Sequence, residues 1–146
     1  MNASLVVLAD RGFVKGYEVK QSPAHGKAPH LLEEHELREA HERYRDKVTD
    51  QAGSFPSTES PGQANATAER MSMETEEDTR LFKAIAQRAE NIIRRNRPQS
   101  WAFAAPEEIN NAILQYVSKD LQAILEQNVR RDLTRIPAQS LLEHFD

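Results

Sequence analysis

The sequence predicts an α/β domain built on one mixed sheet. Three observations predict it: two strand-like segments joined by a tight turn at the start, a long amphipathic helical pattern in the middle, and a strand followed by a helix further on. Strands that precede helices, followed by strand–helix alternation, are typical of a sheet with both antiparallel and parallel pairs. Because 146 residues are one domain's worth, we expect a single domain over residues 1–146.

The N-terminal segments read as a hairpin. Ser4–Ala9 is an almost continuous apolar run, as expected of a strand buried on both faces. Asp10-Arg11-Gly12 supplies turn residues, and Phe13–Lys20 alternates between the two faces of a second strand. Gln21–Pro29 contains two prolines and a glycine and is therefore predicted to be a loop.

Two interpretations of the next segment stay open. His30–Asp46 is rich in Leu, Glu and Arg and suits a surface helix by propensity, whereas a strand over His30–Leu37 is the competing prediction.

The next segment, Thr49–Ala68, consists of small and polar residues, with Phe55 as its one large apolar residue. Such a segment cannot bury enough surface to order itself, so we expect a long flexible loop over about 47–73.

A long helix follows this loop. Thr75 and Asp78 form a capping-box pattern, which predicts the N-terminus of a helix of about twenty residues. Apolar residues then recur on one helical face: Phe82, Ile85, Ala86, Ala89, Ile92 and Ile93. Arginines crowd the end of the pattern and Pro98 terminates it.

The C-terminal part alternates again. Ser100–Ala105 reads as a buried strand with Trp101 and Phe103 on one face and alanines on the other. Pro106 is predicted at the first position of a helix whose apolar residues are Ile109, Ile113, Tyr116, Val117 and Leu121. Ile124–Arg131 could extend that helix or form a last strand, and Pro137 opens a terminal helix.

Composition excludes several classes of function. Nineteen basic and 23 acidic residues give a net charge of -4, so the chain does not coat duplex DNA by bulk charge. Contact with RNA would need local basic patches, and the candidates are Arg94, Arg95 and Arg97, and Arg130, Arg131 and Arg135. The absence of cysteine excludes disulfides and thiolate chemistry. No apolar run is long enough for a membrane span and no signal peptide is evident, so we expect a cytoplasmic protein.

No metal site or cofactor site is predicted. His30, His35 and His41 are spaced by five and six residues, which does not place two imidazoles on one helix face. Asp10 ends the first strand, where ribonuclease H-like folds hold a divalent cation, but the later strand ends in Ala104-Ala105-Pro106 without a carboxylate. We therefore interpret Asp10 as a turn-forming residue with Gly12.

Four short motifs resemble the bacterial host attachment family, whose members are named as required for attachment to host cells. They are Val6-Val7-Leu8-Ala9-Asp10-Arg11, Asp50-Gln51-Ala52-Gly53-Ser54-Phe55, Phe103-Ala104-Ala105-Pro106 and Arg131-Asp132-Leu133-Thr134. The resemblance covers nearly the whole chain and depends on the order and spacing of these motifs.

The resemblance implies a fold like the middle domain of eukaryotic and archaeal peptide-chain release factors, a ribonuclease H-like unit of order βββαβαβα. It favours strands over His30–Leu37 and Ile124–Arg131, against local propensity. Release factors use a Gly-Gly-Gln loop before a long helix in peptidyl-tRNA hydrolysis. Here Pro61-Gly62-Gln63 stands in that position, with proline replacing the first glycine.

These observations predict a noncatalytic binding module that engages a protein or a ribosome/RNA partner. The expected contact surface is the long loop, with Lys47, Gly62 and Gln63, together with the two arginine clusters. The alternative is a translation-related hydrolase acting on peptidyl-tRNA or RNA through Gln63 or Asp10. An extracellular adhesin is disfavoured because no export signal is evident.

Overall fold

The computed structural model describes residues 1–24, 26–37 and 63–145, the last range with side chains from Glu76 onward. Its strands are β1 (Leu5–Ala9), β2 (Phe13–Ser22), β3 (Gly26–Glu36), β4 (Trp101–Ala104) and β5 (Leu125–Val129). Its helices are α1 (Gln63–Asn96), α2 (Glu107–Leu114), α3 (Lys119–Ala123) and α4 (Ala138–Leu141), followed by a 3-10 turn at Leu142–His144. The predicted α/β class is confirmed, and the element order differs from the predicted one by the short helix α3.

The strands form one five-stranded mixed sheet of order β3-β2-β1-β4-β5. β1, β2 and β3 are antiparallel neighbours, whereas β4 runs parallel to β1 and β5 runs parallel to β4. β1 therefore lies at the centre of the sheet, and all five of its residues are buried. Its side chains contribute to an apolar cluster on each face of the sheet, which explains its continuous apolar sequence.

The hairpin turn forms as predicted. The Oδ1 atom of Asp10 accepts hydrogen bonds from the backbone N–H groups of Gly12 and Phe13, each at 2.7 Å. This Asx-type turn joins β1 to β2.

The loop predicted over Gln21–Pro29 is wrong, because β2 continues to Ser22 and β3 begins at Gly26. Gly26 adopts a φ of 71°, which suits glycine at the start of the returning strand. Pro29 lies opposite Val19 on an edge strand, the position in a sheet where proline is tolerated. Strand pairing therefore overrides the loop-like composition of this segment.

The strand interpretation of residues 30–36 is confirmed, and the helix interpretation is wrong for them. Residues 38–46 lie outside the described residues. Pairing with β2 decides the outcome, since strand propensity depends on cross-strand contacts more than on the segment itself.

Helix α1 is 34 residues long and begins at Gln63, so the capping box at Thr75 does not start it. The predicted loop is also wrong over residues 63–73, which are helical, while positions 47–62 lie outside the described residues. The stretch from Gln63 to Thr75 contains no glycine or proline and is rich in Ala, Glu and Met, which propagate a helix. Its C-terminus at Asn96, before Arg97 with a φ of 46° and Pro98, is confirmed.

Helix α1 packs on one face of the sheet, and the C-terminal segment packs on the other. Trp101 and Phe103 point to the α1 side, whereas Ala102 and Ala104 face the C-terminal segment. The predicted division of these residues between the two faces of β4 is therefore confirmed. The indole Nε1–H of Trp101 donates to the carbonyl of Leu121 at 2.7 Å, which satisfies its one buried donor.

The helix predicted to run from Pro106 through Leu121 is two helices. Pro106 is the N-cap of α2 rather than its first residue, and α2 ends at Leu114. The side-chain amide of Gln122 donates to the carbonyls of Leu114 and Val117, each at 2.7 Å, and so satisfies acceptors that the interruption frees.

The remaining C-terminal predictions agree with the structure. The strand favoured over Ile124–Arg131 is confirmed as β5. The terminal helix after Pro137 is confirmed but short, and buried Phe145 lies just beyond it.

Candidate functional site

The carboxyl ends of the parallel strands β1, β4 and β5 meet at one edge of the sheet, the edge where α/β folds bind ligands. An open cleft of about 490 Å³ lies there, which we call the strand-end cleft. It is lined by Asp10, Arg11, Gly12, Phe13, Pro106, Glu108, Ile109, Asp132 and Arg135. The structure thus places Asp10 and Arg135 at one site.

Hydrogen bonds within the chain engage the two aspartates of this cleft. The hydroxyl of buried Thr134 lies 2.7 Å from Oδ2 of Asp10 and 2.6 Å from Oδ1 of Asp132. A hydroxyl has one proton, so it donates to one of the two carboxylates at a time. The Nζ atom of Lys15 also donates to the carbonyl of Thr134, at 2.7 Å. These contacts hold the segment after β5 against the β1–β2 turn.

The histidines considered above as metal ligands are His30, His35 and His41. Among the described residues, no three His, Cys, Asp or Glu side chains converge in a way that could hold a metal ion. His35 contacts Glu33 at 2.9 Å on β3, and His30 is exposed on the same strand. His41 lies outside the described residues.

Two of the predicted contact arginines already have carboxylate partners. Arg94 donates to Oδ2 of Asp120 at 3.2 Å and to the hydroxyl of Ser118 at 2.9 Å, which links α1 to α3. Arg95 donates through Nε to Glu33 at 3.0 Å, which links α1 to β3.

The pKa values of the two acids reflect these pairs. Burial acts to raise the pKa of Glu33, but hydrogen bonds from Arg95 and His35 outweigh it and hold this pKa below its ordinary value. Hydrogen bonds from Ser118 and then from Arg94 lower the pKa of Asp120.

The arginines that follow β5 are arranged differently. Arg130, Arg131 and Arg135 are exposed on residues 130–135, a segment that we call the arginine ridge. Arg130 donates to Oδ1 of Asn111 at 3.4 Å, and neither Arg131 nor Arg135 forms an ion pair with a described residue. The ridge borders the strand-end cleft and a second open concavity of about 680 Å³, lined by Gln127, Asn128, Val129, Arg130, Arg131 and His144.

The other predicted contact residues are Arg97, Gln63, Lys47 and Gly62. Arg97 precedes β4 and therefore lies at the opposite edge of the sheet from the strand-end cleft. Gln63 is the first residue of α1, whereas Lys47 and Gly62 lie outside the described residues.

The sequence comparison gives the family. Residues 5–145 match the sequence model described as "Protein required for attachment to host cells". The chain belongs to this host attachment family. The resemblance inferred from the four motifs is confirmed. A search of curated proteins finds no match. Within the described ranges, no helix of this host attachment protein has both the length and the apolar character needed to cross a bilayer.

Sequence reasoning missed a pair of amide side chains, one buried and one half-buried, behind the arginine ridge of this host attachment protein. Asn110 on α2 is fully buried, and its Nδ2 donates to Oδ1 of Asn128 at 2.8 Å and to the carbonyl of Val129 at 3.2 Å. Asn128 returns a bond from its own Nδ2 to Oδ1 of Asn110 at 2.8 Å. The one signal available in the sequence was a polar residue directly beside the apolar Ile109 of α2.

Proposed function

We propose that this member of the host attachment family is a noncatalytic binding module that engages RNA, of the kind a ribosome presents, through the arginine ridge. The observation that carries the proposal is the contrast between the arginines. Arg94 and Arg95 form ion pairs with carboxylates of the chain. Arg131 and Arg135 are exposed and have no carboxylate partner among the described residues.

The chemistry of these side chains favours a phosphate-bearing partner. A guanidinium group presents a planar fork of donors that matches a phosphate, and it stays charged at all physiological pH values. Because the chain as a whole carries a net charge of -4, attraction to a polyanion has to come from this local surface. RNA on a ribosome also agrees with the cytoplasmic location that we expect from the sequence.

The state of Asp10 supports binding rather than bond-making. Its Oδ1 atom accepts hydrogen bonds from the backbone N–H groups of Gly12 and Phe13, and its Oδ2 atom lies within hydrogen-bond distance of the Thr134 hydroxyl, which Asp132 shares. A carboxylate held in this way has a structural role in the β1–β2 turn that needs no catalytic one.

Co-sedimentation with ribosomes and binding to ribosomal RNA fragments test the proposal. We expect Arg131→Gln together with Arg135→Gln to weaken binding at least tenfold and to reduce the salt dependence, because each lost phosphate contact lowers the slope of log K against log salt by about 0.7 for single strands. Arg94→Gln together with Arg95→Gln is the matched control, since it removes the same two charges from arginines that are paired with carboxylates.

Two results would contradict the RNA proposal. One is an equal loss of affinity in the ridge variant and in the control variant that lacks Arg94 and Arg95. The other is a partner that the protein captures from lysate equally well after ribonuclease treatment, which would show that the ridge binds a protein.

A second candidate function is hydrolysis of peptidyl-tRNA. It is favoured by Gln63, which follows Gly62 and is the first residue of the long helix α1, an arrangement similar to the release-factor loop and helix. Purified protein and its Gln63→Ala variant, assayed on peptidyl-tRNA, separate the two functions. Turnover above background that Gln63→Ala abolishes would establish the hydrolase, and equal background rates would leave binding.

A further inference from the structure

The second concavity beside the arginine ridge, which we call the β5 concavity, differs in charge from the strand-end cleft. Three carboxylates line the strand-end cleft: Asp10, Glu108 and Asp132. None of the described residues that line the β5 concavity is an aspartate or a glutamate, and Arg130 and Arg131 are among them. An anionic ligand at the ridge is therefore bound more favourably on the β5 side than on the cleft side.

Three side chains of the β5 concavity have no partner within the described part of the chain. Gln127, Arg131 and His144 form no hydrogen bond or ion pair with another described residue. Gln127 and His144 are half-buried, and Arg131 is exposed. An amide offers a donor beside an acceptor, a guanidinium offers a fork of donors, and an imidazole offers a flat ring. These groups suit a ligand that has a phosphate, a flat ring and a mixed donor–acceptor edge.

Hydrogen bonds to a buried side chain hold one wall of this concavity in place. Asn128, which lines it, exchanges two hydrogen bonds of 2.8 Å with fully buried Asn110. Asn110 also donates to the carbonyl of Val129 at 3.2 Å. A wall that is already fixed needs little ordering when a ligand binds. The volume of about 680 Å³ lies within the range of about 300–1,000 Å³ that ligand sites occupy.

A nucleotide with an unpaired base combines the three chemical features that these side chains suit. In an RNA duplex the base edges lie in a deep, narrow major groove that side chains cannot read. Proteins instead read bases that are splayed out of a single strand, by stacking on flat side chains and by hydrogen bonds to the base edge.

We propose that the β5 concavity receives one unpaired nucleotide of single-stranded RNA, an inference that rests on the RNA-binding function proposed above. Arg131 contacts the phosphate. The side-chain amide of Gln127 hydrogen-bonds the edge of the base, and the ring of His144 stacks on its face. The ridge therefore distinguishes single-stranded RNA from duplex RNA, which phosphate contacts alone would not do.

Fluorescence anisotropy of the full chain with three labelled RNA probes tests this assignment. The probes are a short single strand of mixed sequence, the same strand annealed to its complement, and the same strand with abasic sites in place of its bases. The abasic strand keeps the phosphates and loses only the bases. We expect the intact single strand to bind at least about tenfold more tightly than either of the other two probes.

Variants of the concavity test which side chains read the base. The Gln127→Ala, His144→Ala double variant should bind the intact strand at least about tenfold more weakly and should bind the intact and abasic strands alike. Gln127→Glu keeps the shape of the side chain and should also weaken binding, because its carboxylate repels the phosphate. Gln21→Ala together with His30→Ala is the matched control, since it removes the same two side-chain types from exposed positions on β2 and β3, at the other end of the sheet from β5. Circular dichroism melts confirm that each variant is folded.

The outcomes separate this inference from the proposed function. Equal affinity for the three probes, or an equal effect of the control and concavity variants, would overturn the base assignment. The proposed function would survive either result if the ridge variant lacking Arg131 and Arg135 still bound RNA more weakly. Failure of every RNA probe to bind would overturn both. A preference for the intact single strand that the concavity variants abolish and the control retains would establish the nucleotide site.

Discussion

At Gly16 the structure shows which atoms an added side chain would meet, so the cost of replacing this glycine can be predicted. It is buried in β2, opposite Val7 of β1 and beneath α1. A Cβ atom added to it would lie 2.8 Å from Cγ2 and 3.3 Å from Cδ1 of Ile92. Ile92 is fully buried and β-branched, so neither a rotamer change nor a shift toward solvent relieves the contact.

These distances set the expected cost of Gly16→Ala. Overpacking a core costs about 1–3 kcal/mol, while the lower entropy of the unfolded alanine chain returns about 0.4–1 kcal/mol. We expect a net loss of about 1–2 kcal/mol in the free energy of unfolding. At about 2–4 °C per kcal/mol, the melting temperature should fall by roughly 2–8 °C. Urea denaturation followed by circular dichroism measures the free energy of unfolding, and a thermal melt followed in the same way measures the melting temperature.

A double-mutant cycle with Ile92→Ala isolates the contact. Ile92→Ala removes Cγ2 and alone costs about 2–5 kcal/mol, but in its background Gly16→Ala should be neutral or stabilising. Gly26→Ala is the control, because a Cβ there meets nothing within 4 Å and its cost, which comes from the φ of 71°, should be the same in both backgrounds. The reasoning fails if Gly16→Ala stabilises the protein, or if its cost persists without the isoleucine.

Three further predictions concern the polar contacts. Asn110→Ala should cost about 1–3 kcal/mol in urea unfolding, because the half-buried amide of Asn128 and the carbonyl of Val129 lose the partner that buried Asn110 supplies. A cost no larger than that of an exposed alanine substitution would refute this. Because the pKa of Glu33 is lowered in the folded chain, Glu33 is protonated at a higher pH in the unfolded chain than in the folded chain. The stability that Glu33→Gln loses should therefore be full above about pH 5 and should shrink as the pH falls through the folded pKa. A stability difference that does not depend on pH would contradict the pairing with Arg95. Asp10→Ala should lower the free energy of unfolding, measured by urea denaturation, by about 1–3 kcal/mol, because the N–H groups of Gly12 and Phe13 lose a charged acceptor. An unchanged free energy would show that the turn forms without this carboxylate.

The sequence predicts best those elements whose pattern of apolar residues is set by burial, either on both faces of a strand or along one face of a helix. β1 is continuously apolar because both faces of the sheet are covered, and Trp101 and Phe103 alternate with alanines because one face of β4 meets α1. The C-terminus of α1 follows from Pro98 alone.

The candidate site was only partly predictable, since its members come from separate segments. Asp10 was interpreted correctly as a turn residue from its neighbour Gly12. Nothing in the sequence placed Thr134 beside it, because the two residues are 124 positions apart and meet through the sheet. The position of the first arginine cluster at the end of a helix favours a capping role for it. Only the structure shows that Arg95 is paired with Glu33, whereas Arg131 has no carboxylate partner among the described residues.

By itself, the sequence determined the α/β class, the central buried strands, the family and the candidate arginines, since each depends on local pattern or on the order of motifs. The tertiary structure decided that residues 26–36 form a strand, that α1 begins twelve residues before its capping box, at Gln63, and which arginines lack a carboxylate partner. The physical reason is that strand pairing and ion pairing are interactions between distant segments, and their free energy outweighs the small conformational preferences that a short window of sequence can express.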